Sequence, residues 1–229
     1  MKLYWTGLAA LALLAACGSG DADKAASGTA AIAMQGEEQR IVAIGDSLFA
    51  GYGLSPDQSY PARLEAALRG QGFNVRVANA GVSGDTSAQI RGRLAFTLDN
   101  QPSKPALVIV ELGGNDLLRG LPPEQLRDNL DAILAELKRR QLPTLVMGML
   151  APPNLGKGYA AKFNPIYPEL AKKHGATLVP FFLQAIVGKA DLVQADHVHP
   201  TAPGVEAVVG GTLRYVIRAL PPVDRPPSP

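Results

Sequence analysis

The chain has 229 residues, 22 Lys and Arg against 20 Asp and Glu, with 47% hydrophobic and 18% charged residues. That length suits one domain of ordinary size or two very small ones, with enough apolar material for a core and too little charge for a disordered chain. A formal charge of +2 carried by scattered basic residues excludes an electrostatically driven nucleic-acid binder, and a single cysteine excludes an internal disulfide and a cysteine-built zinc site.

In chain order, the first segment concerns address. Residues 1–16 hold one early Lys2 and then an apolar stretch from Leu8 to Ala16, too short to span a bilayer and built like a secretory signal. The only cysteine, Cys17, follows Leu14-Ala15-Ala16. This ending resembles the bacterial lipobox, in which the cysteine is acylated and becomes the mature N-terminus; Gly18 after it is the neutral residue that usually goes with outer-membrane retention. The expected divisions are a signal over 1–17, a small, polar, flexible tether over 18–39, a folded domain over 40–221 and a Pro-rich tail over 222–229. The expected location is the cell envelope, lipid-anchored through Cys17 or soluble in the periplasm without acylation.

Within the domain, strands are expected at Ile41–Ile44, Val75–Ala78, Ala106–Val110, Thr144–Met149 and Thr177–Val179. Helices are expected at Pro61–Gly70, Thr86–Leu98, Pro123–Arg140, Phe163–His174 and Gly204–Leu220. Leu126, Leu130, Ile133, Leu134 and Leu137 mark the buried stripe of the longest early helix. His174 before Gly175 reads as a helix C-terminal residue set against the dipole, and Gly156-Lys157-Gly158 as a flexible loop. Strands apolar on both faces and alternating with helices predict an α/β fold, a three-layer α/β/α sandwich with a doubly wound, about five-stranded parallel sheet. Ligands then sit at the carboxyl ends of the strands.

Those ends carry the chemistry. The first gives Gly45-Asp46-Ser47-Leu48, the second leads to Ser83-Gly84-Asp85-Thr86, the third to Gly113-Gly114-Asn115-Asp116, and Asp196-His197-Val198-His199-Pro200 precedes the last helix. Acyl transfer needs a hydroxyl activated by an imidazole, a carboxylate orienting that imidazole, and preset N–H donors for the oxyanion. Ser47, His199 and Asp196 are candidates for the first three, and the Gly84 N–H and Asn115 amide for the donors. Duller readings stand beside them. Ser47 can simply cap a turn, Ser83 is a second serine, Gly84 can merely supply a positive φ, and Asn115 can satisfy loop backbone. His197 with His199 and Asp196 can suggest a metal, though no second ligand cluster exists in the sequence.

The four ordered blocks, over Ile41 to Leu220, closely resemble the SGNH hydrolases, the GDSL esterase/lipase superfamily, with its flavodoxin-like fold. Phe49-Ala50-Gly51-Tyr52-Gly53, Glu111-Leu112, Leu118-Arg119-Gly120 and Pro180-Phe181-Phe182 are similar to the thioesterase I/lysophospholipase L1 (arylesterase) branch. The resemblance implies a serine esterase without metal or cofactor. It makes Ser47 the nucleophile, His199 the base and Asp196 its orienter, with an oxyanion hole from the Ser47 and Gly84 N–H groups and the Asn115 side chain. It implies small acyl esters as substrates: lysophospholipids, aryl or short-to-medium acyl esters, and acyl thioesters. A monomer is expected. His197-Val198 departs from the Gly-Ile usual between the Asp and the His, which alters the pocket rim. A polysaccharide O-acetylesterase of the same superfamily is the nearest alternative, although the one tryptophan, Trp5, lies in the signal and offers no sugar platform. A catalytically silent lipid-binding lipoprotein is the other.

Overall fold

The computed structural model describes residues 34–222; the expected signal, Cys17, most of the tether and the tail from residue 223 lie outside the described residues. Strand β1 (Gln35–Gly45) runs into the short helix α1 (Ser47–Ala50), followed by α2 (Tyr60–Arg69) and β2 (Phe73–Gly81). Next come α3 (Ser87–Asp99), β3 (Leu107–Glu111), the short α4 (Gly114–Leu118), α5 (Pro123–Arg139) and β4 (Thr144–Met147). The chain closes with α6 (Gly156–Phe163), α7 (Ile166–His174), β5 (Thr177–Val179) and α8 (Ala202–Ala219).

All strand pairs are parallel, in the order β2-β1-β3-β4-β5. Leu107 and Ile109 of β3 point to a core shared with α2 and α8, while Val108 and Val110 point to one shared with α3, α5 and α7. Both faces are covered, which is why this strand reads as an unbroken apolar run. The five apolar residues of the α5 stripe are all buried, each contributing about 1.5–3 kcal/mol of transfer free energy. Pro123 in its first turn and Lys138 and Arg139 in its last set the helix ends as expected.

Three local expectations change. β1 begins at Gln35, inside the stretch read as a tether, because backbone pairing with β2 (Gln35 opposite Phe73, Gln39 opposite Val75) needs no apolar side chains. The single helix expected over Phe163–His174 is broken at Asn164-Pro165, since proline cannot donate to the preceding turn. Asn164 instead accepts the Ala151 N–H through its side-chain oxygen at 2.9 Å. Gly156-Lys157-Gly158 is not a loop but the first turn of α6. Packing of Tyr159 on Phe163, ring centroids 5.7 Å apart, outweighs the poor helix propensity of the two glycines.

The sheet order reverses direction between β1 and β3. From β1 the chain moves outward to β2, then returns past β1 to β3, so the carboxyl ends of β1 and β3 flank a crevice. At the opposite edge of the sheet, the Gln39 side chain donates to the Pro221 carbonyl at 3.3 Å, bringing the first strand and the end of α8 together.

Candidate active site

Ser47 is the first residue of α1, directly after β1. Asp46 caps this helix, its Oδ1 accepting the Leu48 N–H at 3.0 Å. A first-turn N–H has no carbonyl one turn back, and among the described residues neither the Ser47 N–H nor the Gly84 N–H has a hydrogen-bond acceptor. The turn is packed tightly. A Cβ at Gly45 would lie 2.7 Å from Glu111 Oε2, and one at Gly81 would lie 2.8 Å from the Phe49 carbonyl carbon.

Gly84 sits at φ +86, a left-handed conformation that glycine takes without a Cβ penalty. Its loop is held on two sides. Arg119 donates to the Gly84 carbonyl at 2.6 Å, while Arg93 bonds Asp85 at 2.7 Å and the Gly45 carbonyl at 2.9 Å. Thr86 then starts α3 through a capping box with Gln89. Asn115 lies in α4, whose position is fixed by buried Asp116 gripping the Ser87 N–H at 2.8 Å and hydroxyl at 2.5 Å. Both N–H bonds of the Asn115 amide are engaged, one on Asp46 Oδ2 at 3.1 Å and one on the Asp85 carbonyl at 3.0 Å.

The fourth block is a self-bracing turn. Asp196 Oδ1 accepts the Val198 and His199 N–H groups at 2.9 and 3.0 Å, and Oδ2 lies 2.7 Å from His199 Nδ1. His199 Nε2 lies 2.8 Å from Ser47 Oγ. These bonds from His199 and the backbone hold the Asp196 carboxyl down at about 2. The stabilisation this gives is complete above the ordinary value of 3.8 and is lost as pH falls towards 2. An ionised carboxylate at Nδ1 fixes the proton on that nitrogen and leaves Nε2 to accept from the serine.

The structure thus brings Ser47, His199 and Asp196 into one chain of hydrogen bonds, with Asn115 joined to the same cluster through Asp46. It leaves Ser83 out of that chain. His197 lines the cleft with φ +60 and is outside the relay; among the described residues no group of three or more His, Cys, Asp or Glu is arranged for a metal. His174 ends α7 as expected, and its ring also reaches Asp131 at 2.6 Å.

The sequence reading names Tyr52, Asp46 and Glu111 within its motifs but gives them no role, and it does not single out Gln194. The Tyr52 ring lies on the His199 ring with centroids 4.5 Å apart. The Gln194 amide donates to the Tyr52 and Pro200 carbonyls at 2.8 and 2.9 Å, clamping the histidine turn to the segment after α1. Asp46 and Glu111 are both buried beneath the serine. Beside Ser47 opens a cleft of about 180 Å³, walled mainly by Leu117, Leu118, Met149, Leu150, Phe181 and Leu183. A hydroxyl at the head of an apolar cleft suits attack on the carbonyl of a bound acyl group.

Comparison with known proteins agrees with this geometry. Residues 43–207 match the model of the GDSL-like lipase/acylhydrolase family. The chain is 40% identical over 169 residues to the esterase TesA of Pseudomonas aeruginosa, covering 74% of this chain and 83% of that protein. It is 39% identical over 160 residues to the thioesterase 1/protease 1/lysophospholipase L1 of Escherichia coli K12, covering 70% and 74%. The crystal structure of AlinE4, an SGNH-hydrolase family esterase, aligns with 60% identity and a TM-score of 0.69 over 82% of this chain and all of that one. The chain belongs to the GDSL-like lipase/acylhydrolase family, the SGNH hydrolases, and is a serine esterase acting on carboxylic esters.

Proposed function

We propose that Ser47, His199 and Asp196 carry out the hydrolysis through an acyl-enzyme. The observation that carries this is the 2.8 Å contact from Ser47 Oγ to His199 Nε2, backed by the 2.7 Å contact from Nδ1 to Asp196. Ser47 Oγ attacks the acyl carbon as its proton passes to Nε2. The oxyanion is met by the Ser47 and Gly84 N–H groups and by the Asn115 amide, which gives up one of its two resting partners. Each such donor is typically worth about 2.7–4 kcal/mol in the transition state. Collapse expels the alcohol, which takes the proton from His199; water, deprotonated by His199, then attacks the acyl-serine, and the acid leaves as Ser47 Oγ takes that proton back from His199.

The substrates are lysophospholipids and aryl or short-to-medium acyl esters, with acyl thioesters turned over at the same serine. The apolar wall supports an acyl chain rather than a sugar, and a cleft of about 180 Å³ lies below the roughly 300–1,000 Å³ usual for ligand pockets. A p-nitrophenyl ester series from acetate to palmitate tests this. The expected kcat/KM rises up to about fourfold per methylene, the equivalent of about 0.8 kcal/mol, peaks at medium length and falls for palmitate. A flat series, or acid release from acetylated polysaccharide alone, removes the reading.

The enzyme works in the cell envelope, held by a lipid on Cys17. The Leu14-Ala15-Ala16-Cys17 ending supports this. A clickable fatty acid fed to the producing cells should label wild type and not Cys17→Ser; equal labelling excludes the anchor.

A further inference from the structure

Beneath the turn that carries Ser47 lies a carboxyl group for which acyl transfer has no direct use. Glu111 ends β3 fully shielded from solvent. Its Oε2 accepts the Asp46 N–H at 3.1 Å, and the same oxygen occupies the space a Cβ at position 45 would need. Its Oε1 is buried without a hydrogen-bond partner among the described residues. Asp46, only 1% exposed, divides its own oxygens between two parts of the site. Oδ1 holds the Leu48 N–H of the serine helix and Oδ2 holds the Asn115 amide. Through this one neighbour, Glu111 reaches both the hydroxyl and the amide that the reaction needs.

Two carboxyls this deep cannot both be anions. Burial and then the Asp46 charge push Glu111 well above the usual carboxylate range. Burial raises Asp46 as well, but hydrogen bonds from Leu48, Glu111 and Asn115 pull it back. The other titratable groups facing the pair are the Tyr167 phenol of α7, itself raised by burial and by Glu111, and His199 on the far side of Asp46. The nearby cation, Arg93 of α3, spends its bonds on Asp85 and the Gly45 carbonyl.

We infer that Glu111 is a positioning residue for the acyl transfer: its buried carboxyl holds the Asp46 N–H, and through Asp46 it fixes the Ser47 turn and the Asn115 amide in a single arrangement. The inference rests on Ser47 being the nucleophile. Glutamine at 111 keeps an uncharged acceptor for the Asp46 N–H, whereas leucine keeps the bulk and removes that acceptor.

The test compares Glu111→Gln and Glu111→Leu with wild type in the full chain. Glu111→Gln should stay within about threefold of wild-type kcat because the hydrogen bond from the Asp46 N–H survives. Glu111→Leu should lose about 10–100-fold in kcat with KM little changed, the penalty for slight misplacement of reacting groups. Stability gives a second readout. The fold raises the Glu111 carboxyl well above its ordinary value of 4.5. Wild type therefore loses stability relative to Glu111→Gln as pH rises above that value, read as a growing Tm difference. An active leucine variant, a glutamine variant as impaired as leucine, or a Tm difference independent of pH overturns the inference. Should leucine fail to fold, the glutamine kcat and its pH-dependent Tm decide. A fluorophosphonate adduct on wild-type Ser47 keeps the two questions apart: its absence removes the nucleophile, whereas its presence with an unimpaired leucine variant removes only Glu111.

Discussion

Ser47→Ala should lower kcat for p-nitrophenyl butyrate by about 10⁶-fold, by analogy with removal of the nucleophile in a serine protease. The loss is large because, among the described residues, the hydroxyl on His199 Nε2 is that of Ser47 and no second one lies there to form the acyl-enzyme. The fold should survive. Removing Oγ takes one hydrogen bond from a partly buried pair, worth about 0.5–1.5 kcal/mol, and Tm should move by only a few degrees. Mass spectrometry after fluorophosphonate treatment should find the adduct on Ser47 in wild type and none in the variant. A variant retaining more than a small fraction of turnover would mean that another residue attacks the ester.

Asp196→Asn should cost about 10⁴-fold in kcat with substrate binding nearly intact, by analogy with the same change in a serine protease. The asparagine oxygen can still accept from Val198 and His199, so the turn should persist. What changes is the proton on the ring. An amide NH₂ facing Nδ1 favours the tautomer with its proton on Nε2, and that nitrogen then cannot accept from Ser47 at 2.8 Å. The acid stability profile should change with it. Wild type loses the ionised Asp196 contribution between 3.8 and about 2, whereas the asparagine variant has no such component. Thermal melts from pH 2 to 6 measure this, and identical profiles would show that the carboxylate gives the turn no stability.

How much of this was legible beforehand depended on how local each signal was. β3 announced itself because both its faces are buried and its side chains from Leu107 to Val110 are all apolar. The four chemical blocks could be placed because a doubly wound sheet delivers all its strand ends to one edge. The supports between blocks could not, since they arise from approaches between distant positions. Gln194 meets the Tyr52 carbonyl across 142 positions, and neither residue type hints at the other. Glu111 is the sharpest case: a carboxylate after an apolar strand ordinarily signals the surface, yet here it is fully buried with the Ser47 turn packed against it. The break in the helix before α7 was different, because Pro165 stood in the sequence as a visible interruption.

The contact between Gln39 and Pro221 has a practical consequence. Strand β1 enters the sheet at the end remote from Ser47, and α8 starts just after His199 and returns to that same end. Anything joined through either end of the domain, whether a bead surface, a reporter or a display scaffold, hangs behind the catalytic mouth. Immobilised by either route, the enzyme should keep its entrance open to esters arriving from solution.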